Sequence, residues 1–175
     1  MTPLLETERL HLRGHALKDF PAYAAMWSDA RTLRHVGGPP RSEEELWTRF
    51  LRNVGQWQLM GSGMWALEDK TSGAYAGAVG FIYGKRTMDI PYRDEPEMGW
   101  VIAPDFHGKG FAREAVAKIL SWGDTNLDAD QSWCMINPAN LASCKVAAAA
   151  GFREAGRATY KDAEMLTFLR PRRSQ

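Results

Sequence analysis

Two cysteines in 175 residues, Cys134 and Cys144, are too few for a disulfide framework. With only four histidines the chain also shows no metal-ligand spacing. The expected state is two buried free thiols in a reducing compartment. A formal net charge of +1 provides no global field toward nucleic acid or a membrane surface, so an anionic ligand has to be held by a local site. The stretch from Met1 to His11 lacks a basic segment followed by an apolar one. No apolar run reaches the roughly 20 residues needed to span a bilayer. The expectation is a cytoplasmic protein without membrane or nucleic-acid partners. The basic ending at Arg170, Arg172 and Arg173 has no aromatic interleaving and reads as solvated. Repeats, low-complexity linkers and composition breaks are absent, which favours one domain over residues 1–175.

What is present is a 45% hydrophobic content arranged with changing period, enough for one sizeable core. Strands are expected at Arg9 to Arg13, Met64 to Glu68, Ala74 to Tyr83, Glu97 to Ala103 and Trp133 to Ile136, with a closing hairpin from Phe152 to Tyr160 and Glu164 to Leu169. Helical spacing marks Lys18 to Ser28, Phe111 to Trp122 and Leu141 to Ala150, the last stopped by Gly151. Ser42 three residues before Glu45 forms a capping box that opens a further helix through about Met60. The expected class is α+β, or mixed α/β, with six or seven strands and about four helices. Trp27, Trp47 and Trp122 fall on helical apolar faces and read as core; Trp65 and Trp100 lie on strands and are held as pocket walls.

The stretch His107-Gly108-Lys109-Gly110-Phe111-Ala112-Arg113 lies between an expected strand and an expected helix. Glycines there let backbone N–H groups turn toward an anion. The helix N-terminus adds partial positive charge, and Lys109 and Arg113 add full charges. A pyrophosphate is the natural guest; the competing reading is a tight turn with no ligand. A P-loop is disfavoured because Gly110, not Ser or Thr, follows Lys109, and a dinucleotide fingerprint because Arg113 stands where a third glycine belongs.

With these residues in view, the chain resembles the GNAT superfamily of acetyltransferases, in its branch of ribosomal-protein N-terminal acetyltransferases of the RimJ/RimL type. Gly110 and Ala112 occupy the last two fixed positions of that family's Gln/Arg-x-x-Gly-x-Gly/Ala motif, and His107 stands where Gln or Arg is usual. Glu97 to Ile102, the run Asn137 to Ser143 with Gly151-Phe152 behind it, and the opening Glu6 to Arg13 resemble the branch's other motifs in the same order. The resemblance implies a mostly antiparallel sheet in which the strand at Glu97 to Ala103 splays from that at Trp133 to Ile136. It implies acetyl-CoA as co-substrate and no metal. Its pantetheine arm would bond to the backbone of Val101 and Ala103. Its pyrophosphate would sit on the amides of Gly108, Lys109, Gly110, Phe111, Ala112 and Arg113, with His107 at the loop's start. Asn140 and Ser143 would face the CoA arm and its sulfur.

Only a neutral amine attacks a thioester. At pH 7.5 roughly a quarter to a third of α-amines are neutral, against about 0.1% of lysines. An α-amine acceptor therefore needs little help from a base. Glu97 is the candidate base, through a water, and the competing reading is a salt-bridged carboxylate. Ser143 is the candidate acid for the leaving thiolate; a helix serine bonded to a nearby carbonyl is the alternative. Tyr160 is a weaker candidate acid. Backbone N–H groups near Trp100 and Val101 are candidates to polarise the carbonyl. The acceptor is expected to be a peptide or small-molecule amine, chosen by loops such as Val36 to Arg41 and Gly84 to Glu95, and the chain a monomer or homodimer. A non-catalytic acyl-CoA-binding module and a nucleotide-dependent oxidoreductase are the rival classes.

Overall fold

The computed structural model describes residues 1–36 and 39–173. Eight strands form one sheet in the order β1-β2-β3-β4-β5-β6-β8-β7. They are β1 (Leu5–Glu6), β2 (Leu10–Arg13), β3 (Met64–Asp69), β4 (Tyr75–Ile82), β5 (Glu97–Ile102), β6 (Gln131–Ile136), β7 (Arg153–Tyr160) and β8 (Ala163–Pro171). The α-helices are α1 (Phe20–Ser28), α2 (Ala30–Val36), α3 (Glu43–Met60), α4 (Phe111–Asn126) and α5 (Leu141–Ala149). The sequence expectation of six or seven strands and about four helices misses the two-residue β1 and the seven-residue α2, both too short to establish a period.

Local chemistry sets the helix ends. The Ser42 hydroxyl accepts from the Glu45 N–H at 3.2 Å, and the Glu45 carboxylate accepts from the Ser42 N–H at 2.8 Å, so the capping box forms. Gly151, at φ +91°, follows α5 in the left-handed conformation that ends helices.

Both sheet faces are covered. Leu10, Leu12, Trp65, Val79, Phe81, Met98 and Ile102 pack with the Phe111, Ala115, Val116, Ile119 and Leu120 stripe of α4 and with Ala147 of α5. On the other face Met64, Ala78 and Val101 pack against Tyr23, Met26 and Trp27 of α1 and Leu46 and Phe50 of α3. Trp65 is fully buried, edge-on to Trp57 and Trp122, which places it in the core and not on a pocket wall. The segment between β4 and β5 is less polar in its packing than its composition suggests: Met88 and Ile90 are buried beside Trp133. Arg170 is also buried, its guanidinium forked onto Asp124 at 2.8 and 2.6 Å, so it ties β8 to the end of α4 instead of facing solvent. Cys134 is buried and Cys144 half-buried, both as free thiols.

Seven of the strand pairings are accounted for by this order, and all are antiparallel except that of β5 with β6. That parallel pair holds a single register match, Glu97 opposite Trp133. Beyond it the strands part.

Candidate active site

A cleft of about 300 Å³ lies at the parting of β5 and β6, walled by the end of β5, the loop before α4, the start of α5 and two residues of α2. His107, Gly108, Gly110, Phe111, Ala112 and Arg113 line it from the loop and helix. Trp100, Val101, Asn140 and Ser143 line it from β5 and α5. Arg31 and Thr32 of α2 also line it, and nothing in the sequence signalled them, because α2 itself carries no readable period.

The loop's backbone turns through two left-handed glycines into the start of α4. Gly108 and Gly110 have φ of +74° and +80°, conformations in which a side chain is strained. A Cβ on Gly108 would meet nothing within 4 Å, so the space beside it is open. The first intrahelical bond of α4 runs from Glu114 N–H to Gly110 O at 3.1 Å, which leaves the N–H groups of Phe111, Ala112 and Arg113 without helical partners at the positive end of the helix dipole. Arg9 of the β1–β2 corner pins this arrangement. Its Nε and Nη2 donate to the Glu114 carboxylate at 2.8 and 2.6 Å, and its Nη1 donates to Lys109 O at 2.7 Å. Burial alone would raise Glu114, but hydrogen bonds from Thr7 and Arg9 hold its carboxyl below the usual range.

The β5 register corrects one expectation. Ala103 N–H donates to Ala76 O at 2.9 Å. Hydrogen-bonding sides alternate along an antiparallel strand, so Val101, opposite Ala78, also turns its backbone groups to β4. The groups turned toward the gap are those of Trp100 and Ile102. Val101 and Ala103 are thus spent within the sheet, and of the two candidate N–H groups for the carbonyl only that of Trp100 faces the opening. His107 Nε2 lies 2.9 Å from Ile102 O; a carbonyl only accepts, so the imidazole carries its proton on Nε2 and fixes the end of β5.

Asn140 caps α5, its Oδ1 accepting from Ser143 N–H at 3.1 Å. Trp100 Nε1 donates to the Ser143 hydroxyl at 3.2 Å. Glu97 is buried at the other end of β5 and does not line the cleft. Both of its oxygens accept from Arg86, Nε to Oε2 at 2.7 Å and Nη2 to Oε1 at 2.8 Å, and Arg86 Nη1 donates to the Tyr160 hydroxyl at 2.7 Å. The glycine pair Gly37-Gly38 at the expected acceptor mouth lies outside the described residues.

A mixed sheet split at one parallel pair, with free helix amides and left-handed glycines at the mouth of the split, is the architecture of an acetyltransferase domain. The chain belongs to the acetyltransferase (GNAT) domain family, whose model matches residues 9–153. An uncharacterized N-acetyltransferase, p20, of Bacillus licheniformis is 26% identical over 153 residues, covering 87% of this chain and 83% of that protein. The solved acetyltransferase of Agrobacterium tumefaciens superposes with a TM-score of 0.84 at 29% identity, covering 100% of this chain and 96% of that one. A ribosomal L7/L12 alpha-N-protein acetyltransferase, RimL, solved in complex with coenzyme A, shares the fold with a TM-score of 0.78 at 17% identity over 97% and 98% of the two chains. Among the described residues no helix is long and apolar enough to cross a membrane.

Proposed function

We propose that this acetyltransferase moves an acetyl group from acetyl-CoA to a primary amine, a peptide N-terminus or a small molecule, by direct attack in a ternary complex in the cytoplasm. The observation that carries the reading is the joining of the β5–β6 gap to the unpaired amides of Phe111, Ala112 and Arg113. Acetyl-CoA would supply a thioester and a diphosphate. The loop amides, with Lys109 and Arg113, would hold the diphosphate, and Trp100 and Ile102 would offer backbone partners to the arm between. RimL's complex with coenzyme A is a property of that protein, and its shared fold supports the same co-substrate here.

Ser143 fits the role of acid. Its hydroxyl oxygen is engaged as acceptor by Trp100, which leaves its own proton to give. Glu97 is proposed as the base through a water, since an Arg86 fork uses one lone pair of each oxygen and leaves others. Titration of acetyl-CoA and an amine panel read by released thiol test the proposal. Saturable micromolar binding with thiol release supports it; no binding rejects it, and binding without release with every amine favours the non-catalytic acyl-CoA module.

A further inference from the structure

Beside the cleft lies a second group of polar atoms that the acetyl-CoA reading does not use. Trp27, at the end of α1, has the Arg49 guanidinium 3.9 Å from its ring centroid and that of Arg41 at 5.5 Å. Arg49 comes from α3 and Arg41 from the segment before it. Arg52 stands close enough to add to the charge felt at Arg49. None of the three forms an ion pair with a carboxylate among the described residues, whereas Arg9, Arg13, Arg31, Arg86 and Arg170 each have one.

Two of the atoms left over can only donate, and the buried Tyr23 hydroxyl beside Arg49 is a third without a partner. Arg41 Nη1 and Trp27 Nε1 are buried without hydrogen-bond partners among the described residues. Both can only donate, so neither can satisfy the other. Leaving a buried charged donor unpaired is costly, and a guest that only accepts removes the cost at both atoms. Burial pulls Arg49 below the ordinary arginine range; Tyr23 opposes this, and Arg41 and Arg52 add to the fall. A planar carboxylate matches two guanidinium forks. The group adjoins the cleft through shared packing. Trp27 lies in one cluster with Val101, which lines the cleft, and Thr32 of the neighbouring α2 lines it too, its buried hydroxyl also unpartnered.

We propose that Arg41, Arg49 and Trp27 form a carboxylate-binding subsite for the acceptor, so that the amine substrates are ones bearing a carboxylate close to the reacting nitrogen. This rests on the acetyl-transfer reading, with Arg52 contributing charge at longer range.

The test is calorimetric titration of the protein saturated with coenzyme A. One arm compares a tripeptide amide carrying two aspartates behind its free N-terminus with the same peptide carrying two asparagines. A second arm compares free aspartate with free asparagine, which separates a peptide source of the carboxylate from an amino-acid source. At least tenfold tighter binding of the acidic member in one arm is expected. The preference should vanish in Arg49→Gln while the affinity for coenzyme A is unchanged. Arg41→Gln carries the same expectation should Arg49→Gln fail to fold. Equal affinity for acidic and amide members in both arms, absence of binding by all four, or a preference that survives both substitutions overturns the subsite. Failure of coenzyme A itself to bind is a different result, and it rejects the acetyl-transfer reading.

Discussion

Trp100 on β5 donates its indole N–H to the hydroxyl of Ser143 on α5, tying the end of the strand to the start of the helix at 3.2 Å. The bond fixes the serine's orientation by occupying its oxygen, so the hydroxyl proton is aimed elsewhere. If that proton goes to the departing thiolate, Ser143→Ala lowers kcat about 10²-fold with acetyl-CoA affinity near wild type. Trp100→Phe keeps the wall of the cleft and loses the orienting donor, so it lowers kcat by a smaller factor. Steady-state kinetics with a reactive amine measures both; unaltered kcat in Ser143→Ala removes the serine from the reaction.

Gly110 is where the glycine loop meets α4. Alanine there is strained at φ +80°, and its Cβ comes within 3.4 Å of Arg9 Nη2. Acetyl-CoA affinity should fall about tenfold, the loss expected when a preorganised seat is disturbed. Gly73, at φ +69° in a turn with open space around it, is the control. Gly73→Ala should cost a comparable amount of stability, about 1 kcal/mol, and leave acetyl-CoA affinity alone. Arg9→Ala should weaken acetyl-CoA in the same direction as Gly110→Ala, because it releases both Lys109 O and Glu114.

In the Arg86–Glu97 pair the carboxylate is buried and the guanidinium partly so, and breaking one side leaves the other charge unpaired. Arg86→Leu and Glu97→Leu should each destabilise the fold by about 3 kcal/mol or more. The double variant should lose much less than the sum, because it leaves no orphan charge. Urea unfolding of the four proteins decides this. Separately, Glu97→Gln should lower kcat about 10²-fold with acetyl-CoA affinity near wild type if Glu97 serves as base.

His15 is enclosed by the rings of Tyr23, Phe50 and Tyr75, with both ring nitrogens buried and unpartnered. Burial brings its pKa down from 6.5 to about 4, against an opposing pull from Asp19. Between those values the unfolded chain binds a proton there and the folded chain does not. Stability therefore falls as pH drops from 6.5 toward 4, by about 3 kcal/mol in all, and His15 contributes no slope above 6.5. His15→Phe should remove that component of the pH dependence in denaturant titrations.

Features fixed by neighbours in sequence were legible without the structure. The Ser42 capping box, the glycine loop at His107 to Gly110 and the Gly151 helix stop each depend on residues within a few positions of one another. Features fixed by tertiary pairing were not. Which backbone groups of β5 face the gap depends on its register with β4, and reading Val101 and Ala103 instead of Trp100 and Ile102 is a one-residue error that alternation turns into the opposite side. Arg9 reaches Glu114 across 105 positions, and Arg86 meets Tyr160 across 74, so no local pattern announces either. The cleft residues Arg31 and Thr32 sit on a helix too short to show its period.

The most direct measurement follows the backbone amide resonances of Gly108, Gly110, Phe111, Ala112 and Arg113 while coenzyme A is added. The account predicts large, saturable shifts concentrated on these five amides, reproduced in part by a nucleotide diphosphate alone. Saturation elsewhere with these five unmoved, or no saturation at millimolar ligand, would contradict it.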